Sequence, residues 1–224
     1  MKKIIYLFLI VIFTILTIAF YKYSMRYIHE KKILKEVISR LEADSRIAEV
    51  LVTNVKFDEE KNKTYTTIKF LEYDIAGKPL ESKYFTFAGN IIQFQSLVVR
   101  FDDSFIKLKD QFKGRSAYLF WKVFMLDGED TTEYEIAKVK EIPQGYKLEE
   151  RDDPLEVKFW SEFWTYALDS NINQKKGIKN AQIEAPGTVF VPGTLYTIKI
   201  EHDGGMRIDT KELPQILRGE YIPE

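Results

Sequence analysis

Few side chains in this chain of 224 residues are suited to catalysis or metal binding, since it has no cysteine and only two histidines. The lack of cysteine excludes disulfide scaffolds, thiolate zinc sites, iron–sulfur clusters and cysteine nucleophiles. A Ser–His–Asp site would need His29 or His202. His202 precedes Asp203 in a stretch typical of a turn, and we interpret His29 as a surface residue.

Carboxylates are the remaining candidates for acid–base chemistry. They gather at Asp102-Asp103, at Asp152-Asp153 and in a segment that contains Asp127, Glu129, Asp130 and Glu133. Two carboxylates that face a cleft can hydrolyse a glycoside, and grouped carboxylate oxygens can bind calcium. The third segment lacks the residue order of an EF-hand loop. Because adjacent acids between strands are typically solvated turn residues, we predict no catalytic, cofactor-binding or metal-binding residue.

Short motifs add little to this picture. The sequence contains no dinucleotide-binding glycine motif, P-loop, nucleophile elbow or His-Glu-x-x-His zinc motif. Asn62-Lys63-Thr64 matches a glycosylation sequon, a pattern that is frequent by chance. Between Phe85 and Phe94, two aromatic runs flank Gly89-Asn90, which indicates either an ordinary hairpin or the rim of a binding face.

Charge is distributed unevenly along the chain. Residues 1–46 carry nine Lys/Arg and four Asp/Glu, and the remainder carries 24 and 30, so that a basic start precedes a mildly acidic body. A nucleic-acid-binding domain needs an excess of Lys/Arg to replace counterions on the phosphates. The distribution excludes nucleic acid as the expected partner and favours a membrane.

An uninterrupted apolar run follows Lys2-Lys3 and extends from Ile4 to Phe20. As a helix it would rise roughly 26 Å, close to the ~30 Å hydrocarbon core of a bilayer. Tyr21, Lys22 and Tyr23 are suited to the membrane interface and extend its reach. We therefore predict a lipid-embedded anchor. Its predicted membrane-facing side chains are Ile4, Leu7, Leu9, Ile12, Ile15, Ile18 and Phe20.

Cleavage and orientation of this segment are separate questions. A cleaved signal peptide needs small residues before the cut, whereas Phe20 and Tyr21 are bulky, so we expect an uncleaved signal anchor. The basic residues that follow the apolar run would favour a body in the cytoplasm. The short basic tail before it and the lack of cysteine favour a body outside. We favour a single-pass protein of the inner (plasma) membrane with an extracytoplasmic body.

Residues from Ser24 to Ala43 contain neither Gly nor Pro and have one apolar stripe at helical spacing. This predicts a juxtamembrane helix that lifts the body by up to ~30 Å. The stripe either packs on the body or forms a short coiled coil with a second copy or another envelope protein. Its predicted interface residues are Tyr27, Leu34, Ile38 and Leu41.

The pattern becomes β-like after Ser45. Six or seven closely spaced strand candidates lie between residues 47 and 148, and the run from Ser116 to Leu126 is apolar on both faces, which is typical of a central strand. Asp153, Pro154 and Glu156 then mark a helix start. Five residues at helical spacing follow, and we interpret their stripe as core rather than as an aromatic ligand box: Trp160, Phe163, Trp164, Ala167 and Leu168.

These patterns predict a mainly β (α+β) protein. A transmembrane helix and a juxtamembrane helix precede an antiparallel β-sandwich or small barrel with one amphipathic capping helix and a C-terminal hairpin between Leu195 and Lys211. We divide the chain into an anchor (1–23), a helical stalk (24–45), a β domain (46–148) and a helix-plus-hairpin region (149–224) that packs on the β domain or continues it.

The function expected from this plan is binding or assembly in the cell envelope, because the anchor and stalk are clear and no catalytic set is present. One alternative is a carboxylate-dependent envelope hydrolase. It predicts that Asp102→Asn or Asp130→Asn abolishes an activity without unfolding the protein. The other alternative is an accessory subunit of a membrane complex whose body faces the cytoplasm.

Overall fold

The computed structural model describes residues 2–41, 47–74, 77–101, 116–127, 130–147, 153–168, 178–200 and 205–217. Helix α1 runs without interruption over Lys2–Leu41, and helix α2 covers Pro154–Leu168. Short 3₁₀ turns lie at Gln144–Tyr146 and Gln215–Leu217. The strands of the described ranges are β1 (Ile47–Asp58), β2 (Lys63–Glu72), β3 (Lys83–Phe87), β4 (Ile91–Phe101), β5 (Ser116–Asp127), β6 (Asp130–Glu135), β7 (Ile178–Glu184), β8 (Gly187–Val189), β9 (Thr194–Ile200) and β10 (Met206–Glu212).

The strands form two antiparallel sheets. The first sheet has the order β10-β9-β1-β2-β3, and the second has the order β6-β5-β4-β7, with the short β8 also paired to β4. The prediction of a mainly β protein with antiparallel sheets and an apolar N-terminal helix is confirmed. The predicted C-terminal hairpin is also present, since β9 pairs with β10 from Ile200–Met206 to Thr194–Glu212.

One apolar core is shared by the facing sides of the two sheets. Val50 and Ile198 of the first sheet belong to the same buried cluster as Val98 of the second. Phe70 on β2 reaches across and lies 5.6 Å from the rings of both Phe94 and Phe120 on the second sheet. Burial of aromatic rings at these distances is the main source of cohesion between the sheets.

Tyrosines close the two sides of this pair of sheets. Tyr134 on the edge strand β6 packs 5.3 Å from the rings of Phe85 and Phe87, and its hydroxyl donates to the Thr86 carbonyl. On the opposite side, the Tyr196 hydroxyl donates to the Val189 carbonyl. Each ring packs on apolar side chains while its hydroxyl bonds to a backbone carbonyl of a neighbouring strand.

A second apolar cluster lies on the outer face of the second sheet, beneath α2. Trp160, at 0% exposure, and Trp164, at 1%, pack with Leu97 and Leu119 of the sheet. The indole of Trp164 donates to the Glu141 carbonyl at 3.1 Å. Four members of the predicted stripe are buried, which confirms its interpretation as core, whereas Leu168 is 41% exposed at the end of the helix.

Strand β5 is apolar on both faces because both faces are covered. Its Tyr118 and Phe120 belong to the core between the sheets, and Leu119 belongs to the cluster under α2. The pairing of β4 with β5 shifts register between Gln95 and Ser96. Such a bulge re-aims the side chains that follow it. Strand β5 lies between β6 and β4, so the predicted interior position is confirmed.

Truncation of a side chain in the α2 stripe should destabilise the protein more strongly the more deeply that side chain is buried. Trp160→Ala removes a fully buried ring and is expected to lower the free energy of unfolding by about 3–5 kcal/mol. The matched control, Leu168→Ala on the same stripe, should change it by no more than about 0.5 kcal/mol. Urea unfolding of the full chain in detergent, followed by tryptophan fluorescence, measures both. Equal effects would show that α2 is not part of the cooperative core.

Candidate functional site

The first functional feature is the long exposed run of α1. Among the described residues, one helical segment, Phe8–Ile33, is long and apolar enough by length and composition to cross a membrane, and its apolar stretch is not buried in the body. Five predicted anchor residues, Leu9, Ile12, Ile15, Ile18 and Phe20, are between 38% and 72% exposed. Ile4 and Leu7 lie on the same helix, but their side chains are outside the described set. Apolar surface left uncovered to this extent is compatible with a single-pass membrane helix.

The second feature is the contact between α1 and the body. Ile33 is 7% exposed and belongs to the cluster under α2, together with Leu119 and Trp160. Tyr27, the first residue of the predicted stalk interface, is 50% exposed. The other three, Leu34, Ile38 and Leu41, lie on α1 with side chains outside the described set. The interface role of all four stays a prediction, and the packing that is seen uses Ile33 beside them.

A hydrogen bond between side chains of α1 and the body lies one helical turn before this apolar contact. The His29 imidazole donates through Nε2 to Oδ2 of Asp153 at 2.9 Å. His29 is 53% exposed, as expected for a surface residue, whereas the Asp153 side chain is 21% exposed. The hydrogen bond from His29 holds the pKa of Asp153 below its usual value, and the Leu155 amide acts in the same direction.

Asp153 is at the same time the N-cap of α2. Its Oδ1 accepts from the Leu155 amide at 2.7 Å, and the helix begins at Pro154, a residue suited to the first position. Sequence analysis predicts this start. It does not predict that the capping carboxylate also binds His29, because 124 residues separate the two.

A third feature is a small cleft between the first sheet and the segment that follows β6. Lys83 on β3 donates through Nζ to the Ile136 carbonyl, and the Gln144 amide donates to Glu81 at 3.1 Å. The cleft is also lined by Glu72 and Leu80. Burial lowers the pKa of Lys83, although Glu72 and Glu81 oppose this. The bond to Ile136 gives Lys83 a structural role in fastening β3 to the second sheet.

Two of the acidic candidates are brought together, since Asp127 at the end of β5 lies opposite Asp130 at the start of β6 in the strand register. Glu133, farther along β6, pairs with Lys122 at 3.0 Å. Asp102, Asp103, Glu129 and Asp152 lie outside the described residues, as does His202. Among the described residues, no three His, Cys, Asp or Glu side chains are grouped to hold a metal ion.

The aromatic run from Phe85 to Phe94 belongs to the core. Phe85, Phe87 and Phe94 are all buried between the sheets, so their rings line no open binding face. Asn62 of the sequon lies in the exposed turn between β1 and β2, with a left-handed φ of 51°. Asparagine tolerates this conformation better than most residues, which gives it a structural reason to be there.

A fourth feature is an exposed apolar row at the start of β4. Ile91 pairs with Val189 of β8, and the two are 59% and 48% exposed. On its other side, β4 pairs with β5, and Gln93 lies opposite Phe124. Two residues farther along the same register, Leu126 of β5, also 59% exposed, lies opposite Ile91. Cross-strand neighbours share a face of the sheet. We call Ile91, Leu126 and Val189 the apolar row.

The apolar row lies at the end of the body that is remote from His29. Tyr146 bonds to the Tyr118 carbonyl and packs on Trp160, whereas Trp164 packs on Trp121. Helix α2 therefore advances along β5 from Tyr118 toward Leu126, and its start, where His29 is bound, lies at the opposite end. The sequence alone does not reveal the row, because its members come from three separate strands.

The two roles of Asp153 can be separated by substitution. Asp153→Asn keeps a capping side chain but loses the carboxylate that His29 binds, whereas Asp153→Ala loses both. Relative to Asn, Ala should be less stable by about 1 kcal/mol.

The native protein should be more stable than the Asp153→Asn variant at neutral pH, and acid should remove this difference in stability. The pKa of Asp153 is lower in the folded protein than in the unfolded chain. Its carboxylate therefore contributes to the free energy of unfolding above the usual aspartate pKa of ~3.9, and this contribution is lost as the pH falls through the pKa of the folded state. Urea unfolding at pH 7 and at successively lower pH tests this. A difference between Asp and Asn that persists unchanged in strong acid would contradict it.

Comparison with known proteins adds no further constraint. The chain matches no protein-family model, no curated protein and no solved structure. Its function is therefore inferred from the four features above: the exposed helix, the contact of that helix with the body, the cleft at Lys83 and the apolar row.

Proposed function

We propose that this protein is a single-pass membrane protein of the cell envelope whose extracytoplasmic β-rich body is a binding or assembly module. The observation that carries the proposal is that the two parts of α1 differ in burial. The apolar residues from Leu9 to Phe20 are exposed, and so large an apolar surface is unfavourable in water. Ile33 on the same helix is buried in the body. A helix of this kind suits a protein that holds a folded domain at a membrane surface.

The architecture that supports this role is a β-sandwich with a capping helix. The two sheets share one core, tyrosines close its sides, and α2 covers part of the outer face of the second sheet. Facing sheets with a common core are typical of a sandwich, whereas a barrel needs one continuous sheet. Sandwiches often serve as rigid carriers of interaction surfaces.

The surface best suited to binding is the apolar row. α2 covers Leu97 and Leu119 at one end of the outer face, but Ile91, Leu126 and Val189 at the other end remain exposed. The row is remote from His29 and hence from the membrane anchor, which favours a protein partner over lipid. A soluble domain that exposes neighbouring apolar side chains on a rigid sheet commonly uses them for docking.

Topology is tested by cysteine labelling, which is clean because the chain has no native cysteine. Lys61→Cys places a thiol in the exposed turn between β1 and β2. Labelling by a membrane-impermeant maleimide in intact cells, with any outer membrane opened, is expected if the body is outside. Labelling that requires rupture of the inner membrane would instead support the accessory subunit that faces the cytoplasm.

The docking role of the apolar row is tested by photocrosslinking in the full-length protein. A photoreactive residue at Leu126 should yield a discrete crosslinked species, and Ile91→Glu should lower its yield several-fold because a charge would then be desolvated at the interface. The same probe at exposed Lys61 is the control. Stable monomers in mild detergent, with no crosslink at Leu126, would refute the binding module.

A further inference from the structure

The hairpin of β1 and β2 extends beyond the other strands of the first sheet. Strand β9 pairs with β1 only over residues 47–51, and β3 pairs with β2 only over residues 66–70. Past these limits, among the described strands, β1 and β2 pair with each other alone. We call residues 54–58 and 63–65 the arm.

The arm carries apolar side chains that the body does not cover. Residues 54–57 are all exposed, in contrast to the buried and half-buried residues before them on β1. Val55 and Phe57 are 45% and 55% exposed, and they share one face of the arm because side chains alternate along a strand. Since a two-stranded ribbon is only marginally stable in water, an arm of this kind gains stability from a third strand.

The side of β1 that β9 leaves open is a strand edge. From Asn54 to Asp58, alternate residues direct their backbone N–H and C=O groups away from β2, as in any antiparallel pair. Another extended backbone is the partner that satisfies such a row of donors and acceptors. The length of this edge suits a strand of ~5–6 residues, whereas the edge of β2 that β3 leaves open spans only residues 63–65.

A second copy of this chain is a poor match for the edge. A two-fold dimer would pair the edge antiparallel with itself about its central residue, which sets the Lys56 side chains of the two copies directly opposite each other. Moving the centre to Val55 places Phe57 opposite Thr53, where the register of β1 with β2 shifts. Lys56 therefore protects the edge from its own copy and favours a strand with an acidic residue at that position.

We propose that the open edge of the arm receives an extended segment of another protein as an added strand, with apolar side chains beside Val55 and Phe57 and a carboxylate opposite Lys56. The proposal rests on the binding role proposed above and names the kind of partner. The arm belongs to the first sheet and the apolar row to the second, so the two surfaces are separate. Backbone hydrogen bonds supply affinity, and the alternation of apolar and acidic side chains supplies specificity.

Disulfide tethering on the full chain in detergent tests the edge. Glu60→Cys places a single thiol in the exposed turn after Asp58, because the chain has no native cysteine. The probe is the peptide Cys-Gly-Thr-Val-Glu-Val-Thr, which, once joined through its cysteine, has the length to run antiparallel to the edge with its Glu opposite Lys56. The concentration of 2-mercaptoethanol that releases half of the peptide is measured by mass spectrometry. It should be several-fold higher than for the same peptide with an N-methylated backbone, which keeps every side chain but loses the donors.

A charge exchange tests the register. Replacing the Glu of the peptide by Lys should lower the release concentration several-fold, and Lys56→Glu in the same protein background should restore it. Ile91→Glu in the apolar row is the matched control and should leave the values unchanged. Equal release of the native and N-methylated peptides, or no response to the charge exchange, would overturn strand addition at this edge.

Photocrosslinking in cells distinguishes the two possible occupants. A photoreactive aromatic residue in place of Phe57 should give an adduct with a different protein, and Lys56→Glu should lower its yield several-fold. An adduct with twice the mass of this chain would show that the edge pairs with a second copy and would overturn the choice of another protein. Loss of the crosslink at Leu126 with capture of the peptide intact would refute the apolar row as a docking surface and leave the edge in place.

Discussion

The structure depends on burial of the outer face of the second sheet. Leu97 and Leu119 on that face are covered by Trp160 and Trp164 of α2, and Ile33 of α1 enters the same cluster. This burial joins the second sheet, helix α2 and the C-terminal part of α1. Without it, the two sheets would still share their aromatic core, but α1 would be attached to the body through the chain alone. Apolar burial therefore sets the placement of α1, and the His29–Asp153 bond fixes its rotation.

One continuous helix has mechanical consequences. A flexible linker would let the body move independently of the anchor, whereas 40 residues of unbroken helix transmit the tilt and rotation of the apolar segment to α2. The docked portion also shortens the free stalk. The sequence-based expectation of a lift of up to ~30 Å treats the entire juxtamembrane helix as a spacer. Contact at His29 leaves only the few residues after the span to act in that way, because the helix beyond them lies against the body.

Periodic patterns in the sequence were sufficient to predict most elements. The hairpin pattern between Leu195 and Lys211, the cap at Asp153 and the stripe of α2 are local signals, and each predicts an element that is present. What local signals cannot supply is the pairing of distant segments. The bond between His29 and Asp153 and the burial of Ile33 depend on which face of α1 meets the sheet, and the sequence of α1 alone does not specify that face. The cleft at Lys83 was missed for the same reason, since β3 meets the segment after β6 only in the folded chain.

The distribution of exposed apolar surface gives the body two distinct ends. Near His29 the exposed side chains are of mixed charge and include Arg26 and Glu30, whereas at the far end Ile91, Leu126 and Val189 are neutral and aliphatic. A purely aliphatic row is best covered by another apolar protein surface. Because α2 and β5 run between the two ends, one rigid layer separates them, and an anchor that orients one end necessarily orients the other. A row on a domain joined to α1 by a flexible linker would sample all directions, whereas the docking of α1 on the body fixes the direction of the row relative to that helix.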